Sequence, residues 1–143
     1  MLKRVLIDAG PIISLFDKDD KYHRIIINFL KEKRYKFITT TAVLTEVSYM
    51  LNFNVEVQIS FFEWVMKEGV ILYEIDQKDI ARIIELTKKY KDIPMDFADA
   101  TLMIVAEKSG IKEIISLDSD FNIYRLPGKV VIKNIFNKNG ARF

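Results

Sequence analysis

Five acidic residues, Asp8, Glu46, Asp99, Asp118 and Asp120, are the side chains of this sequence best placed to do chemistry. Asp8 ends a short apolar run, KRVLID, directly before a Gly-Pro turn, and Asp118 ends a second run, IISLD, with Asp120 two residues on. In open α/β sheets ligands gather beyond the carboxyl ends of the strands, so these acids fall where reaction centres are commonly built. Glu46 stands at helical spacing from Val43, Val47, Met50 and Phe53, on an apolar stripe where an unpaired carboxylate is costly. Val43 occupies the position three residues earlier, so a capping box does not account for it. Asp99 shares the inward face of a helix with Leu102, Met103 and Ala106, while Asp96, one turn earlier, suits a cap in a supporting role.

Each acid has a plainer reading when taken alone. Asp8 is equally well explained as a turn or cap residue, Asp118 as a cap of the following helix, and Glu46 by a buried ion pair. Together they are harder to explain in that way. Four or five crowded carboxylates repel one another unless protonated or bridged by cations, and a divalent metal is the simplest solution. With no Cys and a single histidine, His23, any such metal is held mainly by oxygen, which favours Mg²⁺ or Mn²⁺ over zinc. Two such ions, roughly 3.5–4 Å apart, can activate a water and stabilise the leaving oxygen of a phosphodiester, and one serves if the second arrives with substrate. His23 is not assigned a catalytic role, because proton transfer through metal-activated water needs no histidine base.

The elements that must position these acids alternate. Residues 3–8 read as a buried strand, GPIISLF as a short helical segment, and YHRIIINFLKEK as an amphipathic helix. FITT is a second strand, Thr40 or Thr41 the cap of the helix AVLTEVSYMLN, and residues 55–67 a further helix stopped by Gly69. VILYEI is a third strand, and KDIARIIELTKKY and PMDFADATLMIVAEKSG are helices, the latter with Pro94 at its start and Gly110 as its stop. IISL and VVI supply the last strands. Strands alternating with helices imply right-handed crossovers and a mostly parallel sheet of about five strands covered on both faces. The tail NKNGARF is expected to fray.

At 143 residues the chain fits one domain, residues 1–143, and its 50% apolar, 29% charged composition is neither disordered nor membrane-like. No stretch approaches the roughly 20 apolar residues of a membrane span, no signal-peptide pattern precedes the first strand, and the absence of cysteine agrees with a cytoplasmic protein. The net charge is only +2. With five of the 20 acids drawn into one pocket, however, 15 acids face 22 Lys and Arg elsewhere, leaving a surface of +7 that suits a polyanion. Lys31, Lys33, Arg34, Lys36, Lys88, Lys89 and Lys91 could contact phosphates, although charge runs at helix ends are usually just solvated. Phe61, Phe62 and Trp64 crowd one helix and cannot all point the same way, which fits either aromatic surface for a partner or a homodimer or, equally, a well-packed core helix.

In order and spacing, LIDAGPII, TTAVLTEVSYML, PMDFADATLMIVAEK and SLDSDF resemble the four acidic motifs of the PIN-domain nucleases, especially the VapC toxins of toxin–antitoxin pairs. The resemblance covers essentially the whole chain. It implies a three-layer α/β/α fold, places Asp8, Glu46, Asp99 and Asp118 on the family's metal-binding carboxylates, and matches Asp120 to a frequent additional acid. Ser116 falls where the family often has Ser or Thr, whereas Ala9 departs from the Ser or Thr that many members carry after the first aspartate. It further implies a metal-dependent endoribonuclease acting on tRNA or a ribosomal RNA loop, restrained by a cognate antitoxin in the active-site groove.

Two other classes compete. A magnesium-dependent phosphatase would also use an acidic pocket on such a sheet, but Gly10 stands where a haloacid-dehalogenase-like enzyme needs its second aspartate, and a receiver domain would pair acids after the first strand. A PIN-like module that binds RNA or protein without cutting is opposed by the presence of all four acids.

Overall fold

The computed structural model describes residues 2–93 and 95–136, so the tail expected to fray, and Pro94, lie outside the described residues. Its centre is a five-stranded parallel sheet, built from β1 (Lys3–Ile7), β2 (Tyr35–Thr39), β3 (Ile71–Leu72), β4 (Glu113–Ile115) and β7 (Lys133–Asn134), in the order β3-β2-β1-β4-β7. The central strands are apolar on both faces: Val5, Leu6 and Ile7 of β1 and Ile114 and Ile115 of β4 are fully buried. That burial follows from helices on either side, since a parallel sheet cannot leave a face to water.

Among the described residues, six helices, α1 (Ala9–Phe16), α2 (His23–Glu32), α3 (Thr41–Met50), α4 (Val55–Met66), α5 (Ile80–Lys89) and α6 (Phe97–Ser109), complete a three-layer α/β/α architecture. From β1 the chain steps outward to β2 and β3 through α1 to α4, then returns across the sheet through α5 and α6 to β4 on the other side of β1. Right-handed crossovers therefore put the two sets of helices on opposite faces, and the reversal of direction falls between β1 and β4. α6 is buried on every side from Asp99 to Ala106, which makes it the helix that carries an acid deepest into the protein.

Several boundaries differ from those expected. β3 is two residues long because β2 ends at Thr39, and beyond the Tyr73 N–H to Thr39 carbonyl bond nothing remains to pair with. Val130 and Val131 form a separate antiparallel ribbon, β6 (Val130–Val131) with β5 (Arg125–Leu126), across a turn at Pro127–Lys129 where Gly128 adopts a φ of 76°. The fifth strand of the main sheet is the polar pair Lys133–Asn134, which no hydrophobic pattern marks. Thr40, not Thr41, caps α3, and α6 begins at Phe97 with Asp96 as its cap.

Candidate functional site

Asp8 and Asp118 leave the sheet at the carboxyl ends of β1 and β4, the two strands that flank the reversal point. The backbone N–H of Asp8 still bonds the Ile115 carbonyl at 3.0 Å, so the two chain ends separate only beyond that link. Around them opens a cavity of about 450 Å³, lined by Asp8, Glu46, Asp96, Asp99 and Asp118, with Gly10 and Leu117 on its wall. A carboxylate oxygen from each of Asp99, Asp118 and Asp120 lies within 4.8 Å of the other two. Among the described residues, no Lys or Arg lines the cavity.

Local structure fixes each acid. Asp8 caps α1 by accepting the Ala9 N–H at 2.8 Å, and its other oxygen accepts the Ser116 hydroxyl at 3.0 Å. Ser116 is itself clamped: the Asn134 amide accepts the Ser116 N–H at 3.3 Å and donates to the Ser116 carbonyl at 2.9 Å. Asp96 caps α6 through the Asp99 N–H at 2.8 Å, and Asp118 caps a short 3₁₀ turn through the Asp120 N–H at 2.9 Å. Asp99 points back into the cavity, where the buried Tyr124 hydroxyl donates to it at 3.3 Å. The capping and the metal-ligand readings of Asp8 and Asp118 are thus compatible, since a carboxylate oxygen that accepts one hydrogen bond keeps further acceptor capacity, while Asp96 is the helix cap expected of it.

The electrostatics are those of crowded acids. Burial pushes the Asp8 carboxyl up to about 6 despite the Ala9 and Ser116 hydrogen bonds, with Glu46 and Asp118 adding repulsion. Burial also raises Asp99, to about 8, helped by Asp8, Asp96 and Asp118 and only partly offset by Tyr124. Glu46 and Asp120 are raised too, by partial desolvation first and then by neighbouring aspartates. The Tyr124 phenol is held protonated by burial and by Asp99, so it stays a donor. A site that raises its own carboxylates in this way, with oxygen donors only, fits a hard divalent cation.

Glu46 corrects one expectation. Val43 and Val47 are fully buried, but Met50 and Phe53 are 51% and 59% exposed, so the stripe is apolar without being a core seam. Glu46 is itself exposed, on the rim of the cavity. His23 stands apart from the site, its Nδ1 within 2.7 Å of the Ser14 carbonyl, and its role is to tie α2 to α1. Phe61 is fully buried and Trp64 packs on Phe16, leaving Phe62 as the exposed aromatic of that helix. Sequence reasoning overlooked Tyr124 and Asn134. Tyr124 lies just past the second acidic run and could have been suspected, whereas Asn134 reaches Ser116 only through the β4–β7 register, which no local pattern records.

Comparison with known proteins bears on the fold and the family. No curated protein matches the sequence. Among solved structures, the Mycobacterium tuberculosis toxin VapC20, described as cleaving the sarcin-ricin loop, superposes with a TM-score of 0.75 at 19% identity, covering 83% of this chain and 93% of that one. VapBC2 from Rickettsia felis, solved bound to a DNA fragment from its promoter, gives a TM-score of 0.64 at 12% identity, covering 92% of this chain and 98% of that one. The sequence model of the PIN domain matches residues 5–126, a span that runs from β1 through β5 and includes every acid of the cavity. The chain belongs to the PIN domain family.

Proposed function

We propose that the protein is a divalent-metal-dependent endoribonuclease, the toxin of a VapC-type toxin–antitoxin pair. The observation that carries this reading is the cavity at the β1–β4 reversal point, where buried Asp8 and Asp99 face Asp118 and Asp120 with no basic residue among the described ones lining it. Asp8, Asp99, Asp118 and Asp120 would hold Mg²⁺ or Mn²⁺, with Glu46 completing the set from the rim. The cation, when bound, supplies the positive charge that acidifies a water and stabilises the leaving oxygen of a phosphodiester.

The protein's own residues prepare that chemistry. The Ser116 hydroxyl and the Ala9 N–H hold the two oxygens of Asp8 in one orientation, and Tyr124 does the same for Asp99. Glu46, exposed at the rim with its affinity for protons raised by burial and by Asp96 and Asp118, would complete the metal set from there. Asp96 supports the site by capping the helix that carries Asp99.

The VapC20 likeness points to structured RNA, a ribosomal RNA loop or a tRNA, as substrate, and the VapBC2 likeness points to a cognate antitoxin as partner. Exposed Tyr49, Phe62 and Met66 on α3 and α4 offer apolar surface for that partner or for a homodimer. No described helix is long and apolar enough to cross a membrane, and a cytoplasmic location belongs to this reading.

Incubating the purified protein with total cellular RNA, in Mg²⁺, in Mn²⁺ and in EDTA, beside the Asp8→Asn variant, tests the proposal. A discrete cut that needs metal and Asp8 is the expected result. RNA that is bound yet left intact in every metal would make the protein a binding module instead.

A further inference from the structure

A second cavity, of about 250 Å³, is lined by Thr41, Thr45, Glu74, Ile75, Phe97 and Thr101. Helices α3 and α6 contribute neighbouring residues to both cavities. α3 contributes Thr45 to the second cavity and Glu46 to the first, and α6 contributes Phe97 and Thr101 to the second and Asp96 and Asp99 to the first. The two helices are tied together at this cavity by the buried hydroxyl pair Thr40–Thr101, at 2.8 Å.

The linings differ in kind. Phe97 is 54% exposed at the first position of α6, two residues before its buried run Asp99–Ala106, an orientation that core packing does not explain. Across from it, Glu74 accepts the Thr41 hydroxyl at 3.0 Å through one oxygen, which leaves further acceptor capacity on an exposed carboxylate. The volume is below the ~300–1,000 Å³ of sites for drug-sized ligands and suits a single planar ring system.

We propose that this cavity is a nucleobase subsite selective for guanine, in which Phe97 stacks on the base and Glu74 reads its Watson–Crick edge. The choice of ligand rests on the ribonuclease reading. Unstacked bases are recognised by aromatic faces together with hydrogen bonds to that edge. Among the four bases guanine alone presents two adjacent N–H donors there, which match the two oxygens of a carboxylate. Adenine, cytosine and uracil each set a ring nitrogen or carbonyl acceptor beside their donor, which a carboxylate repels. The subsite would thus hold a guanine flanking the phosphate that lies over the acids.

The test uses Thr-methyl-labelled Asp8→Asn protein titrated with 5′-GMP, 5′-AMP, 5′-CMP and 5′-UMP and followed by NMR. GMP is expected to shift the Thr41 and Thr45 methyl signals at lower concentration than the others. Adding Phe97→Ala weakens GMP binding by roughly tenfold or more, Phe97→Trp retains it, and Glu74→Gln abolishes the preference for guanine. Methyl signals that no nucleotide moves, or that GMP moves equally in Phe97→Ala, overturn the subsite. Mapping the ends of RNA cut by the Asp8 protein and by its Phe97→Ala variant separates the two readings. Cuts that lack a neighbouring guanine and are unchanged by Phe97→Ala remove the subsite and leave the nuclease. GMP binding at Thr41 and Thr45 with no RNA cut upholds the subsite and removes the nuclease.

Discussion

Burial raises both Asp8 and Asp99, yet Asp99 is held the higher, about 8 against about 6, because repulsion from Asp8, Asp96 and Asp118 outweighs its single donor, Tyr124, while Asp8 has two donors to lower it. Folded Asp99 therefore keeps its proton to about pH 8, whereas an unfolded aspartate releases it near 3.8. Between those values the folded state binds more protons than the unfolded, so the metal-free protein loses stability as pH rises from about 4 through about 8. Asp99→Asn removes that dependence, with an expected gain at pH 8 in EDTA of about 2 kcal/mol, or roughly 8 °C in Tm. Mg²⁺ or Mn²⁺ should reverse the order, raising the Tm of the native protein at pH 8 far more than at pH 5, since ligands must shed protons to bind metal. Thermal unfolding of both proteins at the two pH values, with and without metal, checks this; an Asp99→Asn protein less stable than native in EDTA at pH 8 contradicts it. Asp8, Asp99 and Asp118 were legible in the sequence because each breaks a pattern, ending an apolar run or facing inward on a helix. The exposure of Glu46 was not, because helical spacing shows which residues share a face and not whether another element covers it.

At the scale of elements, α6 and the short edge strand β7 set the site's precision. Asp96 both caps α6 and lines the cavity, and two substitutions separate these roles. Asp96→Ala removes the cap and should cost about 1 kcal/mol in denaturant unfolding, while Asp96→Asn keeps an oxygen for the Asp99 N–H and should cost a few tenths. If Asp96 acts as support only, Asp96→Asn retains most cleavage activity, and a loss as large as that of Asp8→Asn would promote it to a ligand. β7 is more indirect. Asn134 holds Ser116, and Ser116 holds Asp8, so Asn134→Ala should raise the metal concentration for half-maximal cleavage roughly tenfold through loss of outer-sphere support. An unchanged metal requirement in that variant would make the clamp purely structural. α6 was readable from its length, its inward acids and the Gly110 stop, which adopts φ 71° as the C-terminal cap. β7 was not readable, because two polar residues on a sheet edge carry no periodicity and draw their conformation from pairing with Glu113 and Ile114.

The alternation of strands and helices made the layered sheet legible at the scale of the whole molecule, but it could not say which basic residues share an edge with the acids. The parallel sheet decides this. Lys36 pairs opposite Arg4 at the amino ends of β1 and β2, and Lys31, Lys33 and Arg34 precede it, so this cluster sits at the edge of the sheet remote from Asp8. α5 runs the other way. Its start meets the far end of α6 through Lys108–Asp79 and Arg82–Glu107, and its C-terminal end brings Tyr90 to 5.0 Å from the ring of Tyr124, the donor to Asp99. Exposed Lys88, Lys89 and Lys91 therefore stand on the same side of the molecule as the acidic cavity. If RNA is the substrate, the double variant Lys88→Ala/Lys89→Ala should weaken its binding and lower the slope of log affinity against log salt by about 0.7 for each phosphate no longer neutralised, whereas Lys33→Ala/Arg34→Ala should leave both unchanged. Binding is best measured in the Asp8→Asn background, where cleavage does not deplete the ligand. Equal weakening by the two double variants would show that the polyanion is held by the general surface charge, and weakening by Lys33→Ala/Arg34→Ala alone would place it on the opposite edge of the sheet from the acids.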